Sequence, residues 1–187
     1  SVSIFTSWFR PLETDDNLQE YLEVVVSGQR LKIKTTENIN LEPSQKIRVY
    51  ITMPEIEGLY ASSSSQLVVK DPFEGDELDL DVSSSANIEV DFTANRVDIE
   101  GSSSGSISLK GSAKRTKVKV SSSCKIEATS FRSDEVDARA SSSGKVSIGV
   151  NDRLDADVSS GAKVNYRGNP EKIYTDASSG GKVRKID

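Results

Sequence analysis

The sequence contains no histidine and a single cysteine, Cys124. Without imidazole there is no Ser-His-Asp or Cys-His chemistry and no histidine metal site, so any catalysis would rest on carboxylates, Lys, Arg or Tyr. One thiol excludes intrachain disulfides and cysteine-cluster metal sites. Cys124 reads as a small buried filler, not a reactive thiol. Aromatic residues make up only 6% and hydrophobic residues 35%, which suits either a partly disordered chain or a thin repetitive fold with a narrow interior. No apolar run approaches the roughly 18 residues of a membrane-spanning helix. The polar opening "SVSIFTSWFRP" is unlike a signal segment, although a mature or trimmed exported chain would look the same. An excess of positive charge is missing too: 24 basic residues face 29 acidic ones, for a net charge of −5. That balance argues against a nucleic-acid binder, which would show a dominant basic surface.

What the chain has in abundance is serine, and in phase. "YASSSSQLVV", "DVSSSANIEV", "EGSSSGSISL", "KVSSSCKIEA", "RASSSGKVSIGV", "DVSSGAKVNY" and "DASSGGKVRK" share one pattern. Their first serines are Ser62, Ser83, Ser102, Ser121, Ser141, Ser159 and Ser178, separated by 21, 19, 19, 20, 18 and 19 residues. A period near twenty with internal alternation is the signature of a solenoid whose coils are short strands.

The alternation keeps one parity through every copy. Five, three and one places before the serine stand Leu78, Leu80 and Val82, then Val97, Ile99 and Gly101, then Thr116, Val118 and Val120. Val136, Ala138 and Ala140 follow, then Leu154, Ala156 and Val158, and finally Ile173, Thr175 and Ala177. Five places after it come Leu67, Ile88, Ile107, Ile126, Val146, Val164 and Val183. Strand side chains alternate between faces, so this parity points inward and the mostly charged opposite class points out. The fold expected is all-β: a right-handed parallel β-helix of about seven serine-turn coils plus N-terminal strands, a rod of roughly 34 Å at one strand spacing per coil. The middle serine of each copy shares the inward parity, as does the small residue two places later (Ser65, Ala86, Gly105, Cys124, Gly144, Ala162, Gly181). Small side chains permit a tight corner, and stacked hydroxyls can hydrogen-bond along the axis.

One domain is expected. Residues 1–16 form an N-terminal segment in which Phe5, Trp8 and Phe9 suit a cap or a contact surface, residues 17–60 add early β-helix strands, and residues 61–187 form the regular coils. "YLEVVVSGQRLKIKTT" and "QKIRVYITMP" alternate as strands do, with "ENINLEPS" as the connecting loop.

Two outward ladders carry the candidate sites. Before the serines, Asp79, Asp81, Asp98 and Glu100 form a carboxylate quartet of the kind calcium takes, while exposed charges also sit comfortably in water. No other cofactor is called for. After the serines, the fourth position reads Gln66, Asn87, Ser106, Lys125, Lys145, Lys163 and Lys182. The four lysines can engage an anionic glycan or lipid surface, and lysines also guard sheets against aggregation. No catalytic residue is assigned.

The "IRVYITMPEIEGLYASSSSQL" passage, a strand ending in "MPEI" before the first small-residue turn, and the serine-rich coils after it carry a resemblance. Together, over roughly residues 17–187, they resemble the "putative auto-transporter adhesin, head GIN domain" family of bacterial envelope proteins. The chain departs from that pattern in preferring Ser-Ser-Ser where the family alternates small residues with glycine. The resemblance implies a right-handed β-helix and an exported protein of the cell envelope or cell surface, and transfers no functional residue. The expected function is therefore a non-enzymatic envelope protein, an adhesin or a glycan- or protein-binding module. A rival is a β-helical polysaccharide lyase or hydrolase using outer carboxylates, with Asp137, Arg139, Asp155 and Asp157 as its best candidates. A third reading is a structural module that assembles into a homo-oligomer. Expected partners are a glycan or an envelope protein, with no nucleic acid and no transmembrane segment.

Overall fold

A computed structural model describes residues 2–5, 22–27, 30–35, 49–53 and 55–187. Its organising element is the serine corner. Each corner passes through two consecutive residues of positive φ: Ser63 and Ser64, Ser84 and Ser85, Ser103 and Ser104, Ser122 and Ser123, Ser142 and Ser143, Ser160 and Gly161, Ser179 and Gly180. The serine values lie between 46° and 64°. Two successive left-handed residues are the geometry of the tightest two-residue turns, usually supplied by asparagine and glycine. The N–H of the fourth residue donates to the carbonyl of the first, as from Ala86 to Ser83 (3.0 Å) and Gly105 to Ser102 (2.9 Å).

The corner corrects one expectation from the sequence. Two positive φ values break the strand alternation, so the middle serines (Ser63, Ser84, Ser103, Ser122, Ser142, Ser160 and Ser179) are exposed, not inward. The small residue two places later does turn in: Ala86, Cys124 and Ala162 are buried. Stacking along the axis runs through the backbone. Ser85 N–H donates to the Ser103 carbonyl at 3.0 Å, Ser104 to Ser122 at 2.9 Å, and Ser123 to Ser142 at 3.0 Å. Flanking bonds such as Ser102 N–H to Val82 and Ser106 N–H to Ala86 complete the ladder, so it continues around the corner without a gap.

Between corners the chain is almost all strand. Four long strands, β8 (Asn87–Gly101), β9 (Ser106–Val120), β10 (Lys125–Ala140) and β11 (Lys145–Val158), each wrap the rest of one coil. The flanking coils are broken into β4 (Gly58–Ala61), β5 (Gln66–Val68), β6 (Phe73–Glu74) and β7 (Glu77–Val82) on one side. On the other side lie β12 (Lys163–Arg167), β13 (Lys172–Ala177) and β14 (Lys182–Lys185). All of these pair in parallel. Ile88, Ile107, Ile126, Val146, Val164 and Val183 stand in register one above another, as do Leu80, Ile99, Val118, Ala138, Ala156 and Thr175. The solenoid has about seven turns.

A further inner wall lies between those two. Phe92, Ala94, Ala113, Phe131, Ser133 and Val150 build it, and register shifts in β10 displace its residues by a place or more from coil to coil. Phe73 and Phe92 pack at 4.4 Å between centroids. Gly111 is registered between Phe92 and Phe131 with φ of 103°, and a Cβ there would lie 2.1 Å from the Phe92 carbonyl oxygen. Among the described residues the buried polar side chains are Thr116 and Ser133. They satisfy one another: Thr116 donates to Ser133 Oγ at 2.8 Å, and Ser133 donates to the Glu135 carbonyl at 2.8 Å.

The N-terminal strands do not form coils. β1 (Val2–Phe5) pairs antiparallel with β4 and with β3 (Arg30–Thr35), which pairs antiparallel with β2 (Leu22–Ser27). Alternating sequence signals a strand but not its direction, so the expectation of early coils is corrected for β2 and β3. Ile4, Leu31 and Ile33 are buried, and the antiparallel strands cover the edge of β4 as a cap should. Trp8, Phe9, the Phe5 side chain and "ENINLEPS" lie outside the described residues. At the other end β13 pairs only with β11, and all six of its residues are exposed, Ile173, Thr175 and Ala177 included. They keep the inward register, but no further strand among the described residues lies over them.

Gly111→Ala combines a forbidding φ with a backbone clash and is expected to lower stability by about 3 kcal/mol in chemical denaturation. At the corner, Ser104→Gly is expected to be neutral or stabilising, since glycine carries no left-handed penalty, whereas Ser104→Val should cost about 1–3 kcal/mol. Equal midpoints for the Gly and Val variants would contradict the corner geometry.

Candidate functional site

The outer face before the corners is a grid of charge. One column runs Asp79, Asp98, Lys117, Asp137, Asp155, Tyr174, and the next Asp81, Glu100, Lys119, Arg139, Asp157, Asp176. The quartet singled out from the sequence is thus brought together on β7 and β8. With Tyr60, Lys117 and Lys119 it lines a shallow groove of about 300 Å³.

The groove is electrostatically crowded at its acidic end. Burial, followed by the neighbouring Asp98 and Glu77 carboxylates, pushes the Asp79 pKa up despite the opposing pull of Arg96. Burial, followed by Glu100, pushes Asp81 up. Arg96 donates to one oxygen of Asp98 at 2.5 Å, while the other, Oδ1, is buried with no hydrogen-bond partner among the described residues. Lys119 reaches Glu100 at 3.0 Å. Among the described residues no three acidic or thiol groups converge as a metal site would require.

Asp137, Arg139, Asp155 and Asp157, the carboxylate set considered for polysaccharide cleavage, lie in register on β10 and β11. Arg139 Nε is 3.5 Å from Asp137, and Arg153 is 3.3 Å from Asp155, all of them well exposed. They occupy a flat strand face. The groove does not include them. Cys124 is fully buried, and burial pushes its thiol up to about 11. It fits beside Gly101 on the preceding coil, where a Cβ would fall 2.3 Å from the Cys124 sulfur.

The outer face after the corners has a different character. Lys125, Lys145, Lys163 and Lys182 are registered and exposed in one column. Lys125 is held by Glu127 at 2.6 Å. Among the described residues no carboxylate forms an ion pair with Lys145, Lys163 or Lys182. The parallel column Ser147, Asn165, Arg184 adds Arg184, and the one beyond it brings Arg167 beside Gly149. Reading the repeat one position at a time missed both arginines. The signal was present at the sixth and eighth places after the serine, but only in the last two coils.

These features define a class: a parallel β-solenoid, capped by antiparallel strands, that among the described residues presents flat registered faces instead of a walled cleft. Residues 11–170 match the family described as "Putative auto-transporter adhesin, head GIN domain", and the chain belongs to that family. Solved structures share the fold. One is a "putative adhesin" of Bacteroides fragilis NCTC 9343, with TM-score 0.79 and 18% identity over 93% of this chain and 83% of that one. A "putative adhesin" of Parabacteroides merdae ATCC 43184 has TM-score 0.73 and 19% identity over 94% and 82%. A "Putative lipid binding protein" of Parabacteroides distasonis ATCC 8503 has TM-score 0.72 and 20% identity over 94% and 83%. No curated protein matches the chain significantly.

A raised carboxyl pKa means that the folded protein holds the proton more tightly than the unfolded chain. Stability contributed by Asp79 and Asp81 is therefore full below about the ordinary carboxyl value of 3.8 and is lost as pH rises through their folded values. Asp79→Asn is expected to raise the unfolding midpoint at pH 7, with the gain fading toward pH 3, about a unit below the ordinary value. A midpoint lowered at pH 7 would count against the crowding. Separately, Cys124 is expected to resist thiol-specific alkylation at pH 8 in the native protein and to react once denatured. Rapid native labelling would contradict its burial.

Proposed function

We propose that this chain is a non-enzymatic cell-envelope adhesin module that displays rigid β-solenoid faces to a glycan or protein ligand. The observation that carries this reading is the regularity of the outer faces: successive coils repeat the same columns with no long insertion to wall a cleft. A stiff parallel ladder holds side chains at fixed intervals without a closing loop, an arrangement suited to recognising an extended surface or polymer. Family membership supports an adhesive role at the cell envelope.

The absence of histidine restricts general acid–base chemistry to other groups, and two of the carboxylates that could replace it, Asp137 and Asp155, are tied to arginines on an open face. Glycan arrays and envelope pull-downs with the purified protein are expected to show saturable binding at unchanged ligand length. Release of new reducing or unsaturated ends from acidic polysaccharides would instead establish the lyase or hydrolase reading, and no binding on either platform would refute the adhesin.

A further inference from the structure

Over its last three coils, the outer face after the corners concentrates positive charge in a chain whose net charge is −5. The positions four, six and eight places after the first serine read Lys145, Ser147 and Gly149, then Lys163, Asn165 and Arg167, then Lys182, Arg184 and Ile186. Register places these as three adjacent rungs. Five cations stand there with no acid among them. A sixth leans in from the coil before, since Arg132 Nη1 lies where it would meet a Cβ on Gly149 at 2.6 Å. Among the described residues none of Lys145, Lys163, Lys182, Arg167 or Arg184 forms an ion pair with a carboxylate.

The other outer face is mixed in sign. Acids and bases share its columns and pair in places, as Lys119 does with Glu100 across coils and Arg153 does with Asp155 along one strand. At the early coils of this same face, Glu89 and Asp91 stand outward and Lys110 is registered beside Asp91. Like charges stacked one strand apart repel, and an anion that spans the rungs would relieve the repulsion.

We propose that this patch is the binding track for a linear acidic polysaccharide lying along the solenoid axis, with one carboxylate per sugar. The lysine column supplies a cation at every strand spacing, about 4.8 Å, and spans about 10 Å over three rungs. Such a polymer presents its charges in a line, which matches a column better than it matches a broad patch. Ser147 and Asn165 lie between the cations, with Asn165 Nδ2 donating to Ser147 Oγ at 3.4 Å, and offer donors and acceptors to sugar hydroxyls. A membrane surface fits less well, because interfacial binding draws on exposed apolar side chains. The exposed large apolar residues (among them Val24, Val25, Val26, Ile173 and Tyr174) lie off this track. A nucleic acid would call for exposed aromatic rings to stack its bases, and none of the nine track positions is aromatic. The proposal rests on the binding-module reading above and names its ligand class.

The test measures binding of polygalacturonate oligomers by calorimetry, beside their methyl-esterified form, anionic phospholipid vesicles and a single-stranded oligonucleotide. The native chain is expected to bind the acidic oligomer in a salt-sensitive manner and the neutral ester weakly. The triple substitution Lys145→Gln, Lys163→Gln, Lys182→Gln should weaken that binding by about tenfold or more. These side chains are exposed and make no ion pair, so the variant is expected to unfold as the native protein does. Lys114→Gln with Lys172→Gln removes two positive charges that lie off the nine track positions and should leave binding unchanged. Equal loss in both variants, or binding of vesicles or oligonucleotide in preference to the acidic oligomer, would overturn the proposal. If no acidic glycan binds while the array or pull-down finds another saturable ligand, the track fails and the adhesin reading stands; if neither finds one, both fail.

Discussion

Each turn of this molecule is held to the next by backbone hydrogen bonds that do not stop at the corner. In a parallel sheet the ladder is ordinarily lost where the strand ends, and a solenoid that lost it at every coil would be a stack of separate sheets. Here two residues of positive φ swing the chain through the bend while keeping an N–H and a carbonyl aimed along the axis, as in Ser85 to Ser103 and Ser104 to Ser122. Serine is an unusual choice, since a left-handed residue with a Cβ costs about 1–2 kcal/mol. Two coils use glycine at the second place instead, Gly161 and Gly180, which shows that the geometry and not the hydroxyl is what recurs. The constraint sets the rest: because the corner is invariant, the strands leaving it stay in register, and columns of side chains inside and outside the rod follow.

That dependence explains how far the residues themselves could be read. Positions counted from a serine on either side were legible, because strand parity starts afresh from a fixed corner; Ile107 over Ile126 over Val146 is the clearest instance. Part of the middle wall was not, because register shifts near Ala128 and Ser133 break the count, so Phe131 and Ser133, the partner of Thr116, had no phase to betray them. The inward assignment of the middle serines failed for a related reason. Alternation holds only while φ is negative, and the sequence carries no mark of its sign when serine takes the place of glycine. At the N-terminus, Leu31 and Ile33 alternating with Lys32 and Lys34 marked a strand but could not say that it runs antiparallel, and residues 49–53 of "QKIRVYITMP" form no strand beyond a single bridge at Tyr50.

The candidate faces divide along the same line. Single columns, such as the lysines at the fourth position, need only the period and were visible in the sequence. The groove at Asp79 and Asp81 needed depth, which depends on how Tyr60 and Lys117 lean over it. The arginines of the basic track needed adjacency between columns, since Arg167 and Arg184 occupy different places in their repeats and meet only after folding.

Interior and exterior are also chemically decoupled in a way that bears on what the protein can evolve to bind. The core is lined by small and branched aliphatic residues whose demands are met coil by coil, so a complementary pair such as Gly101 and Cys124 settles its fit locally. Outward positions carry almost none of that packing. A change from Asp98 to Lys117 to Asp137 along one column costs the fold little, because exposed charges contribute weakly to stability whatever their sign. Charge on the outer faces is thus free to follow a ligand. Where it alternates, it is accounted for by mutual neutralisation. Where five cations gather on three rungs without an acid, neutralisation within the chain does not account for it, and a counter-charge from outside the molecule is the simplest physical reason for the arrangement.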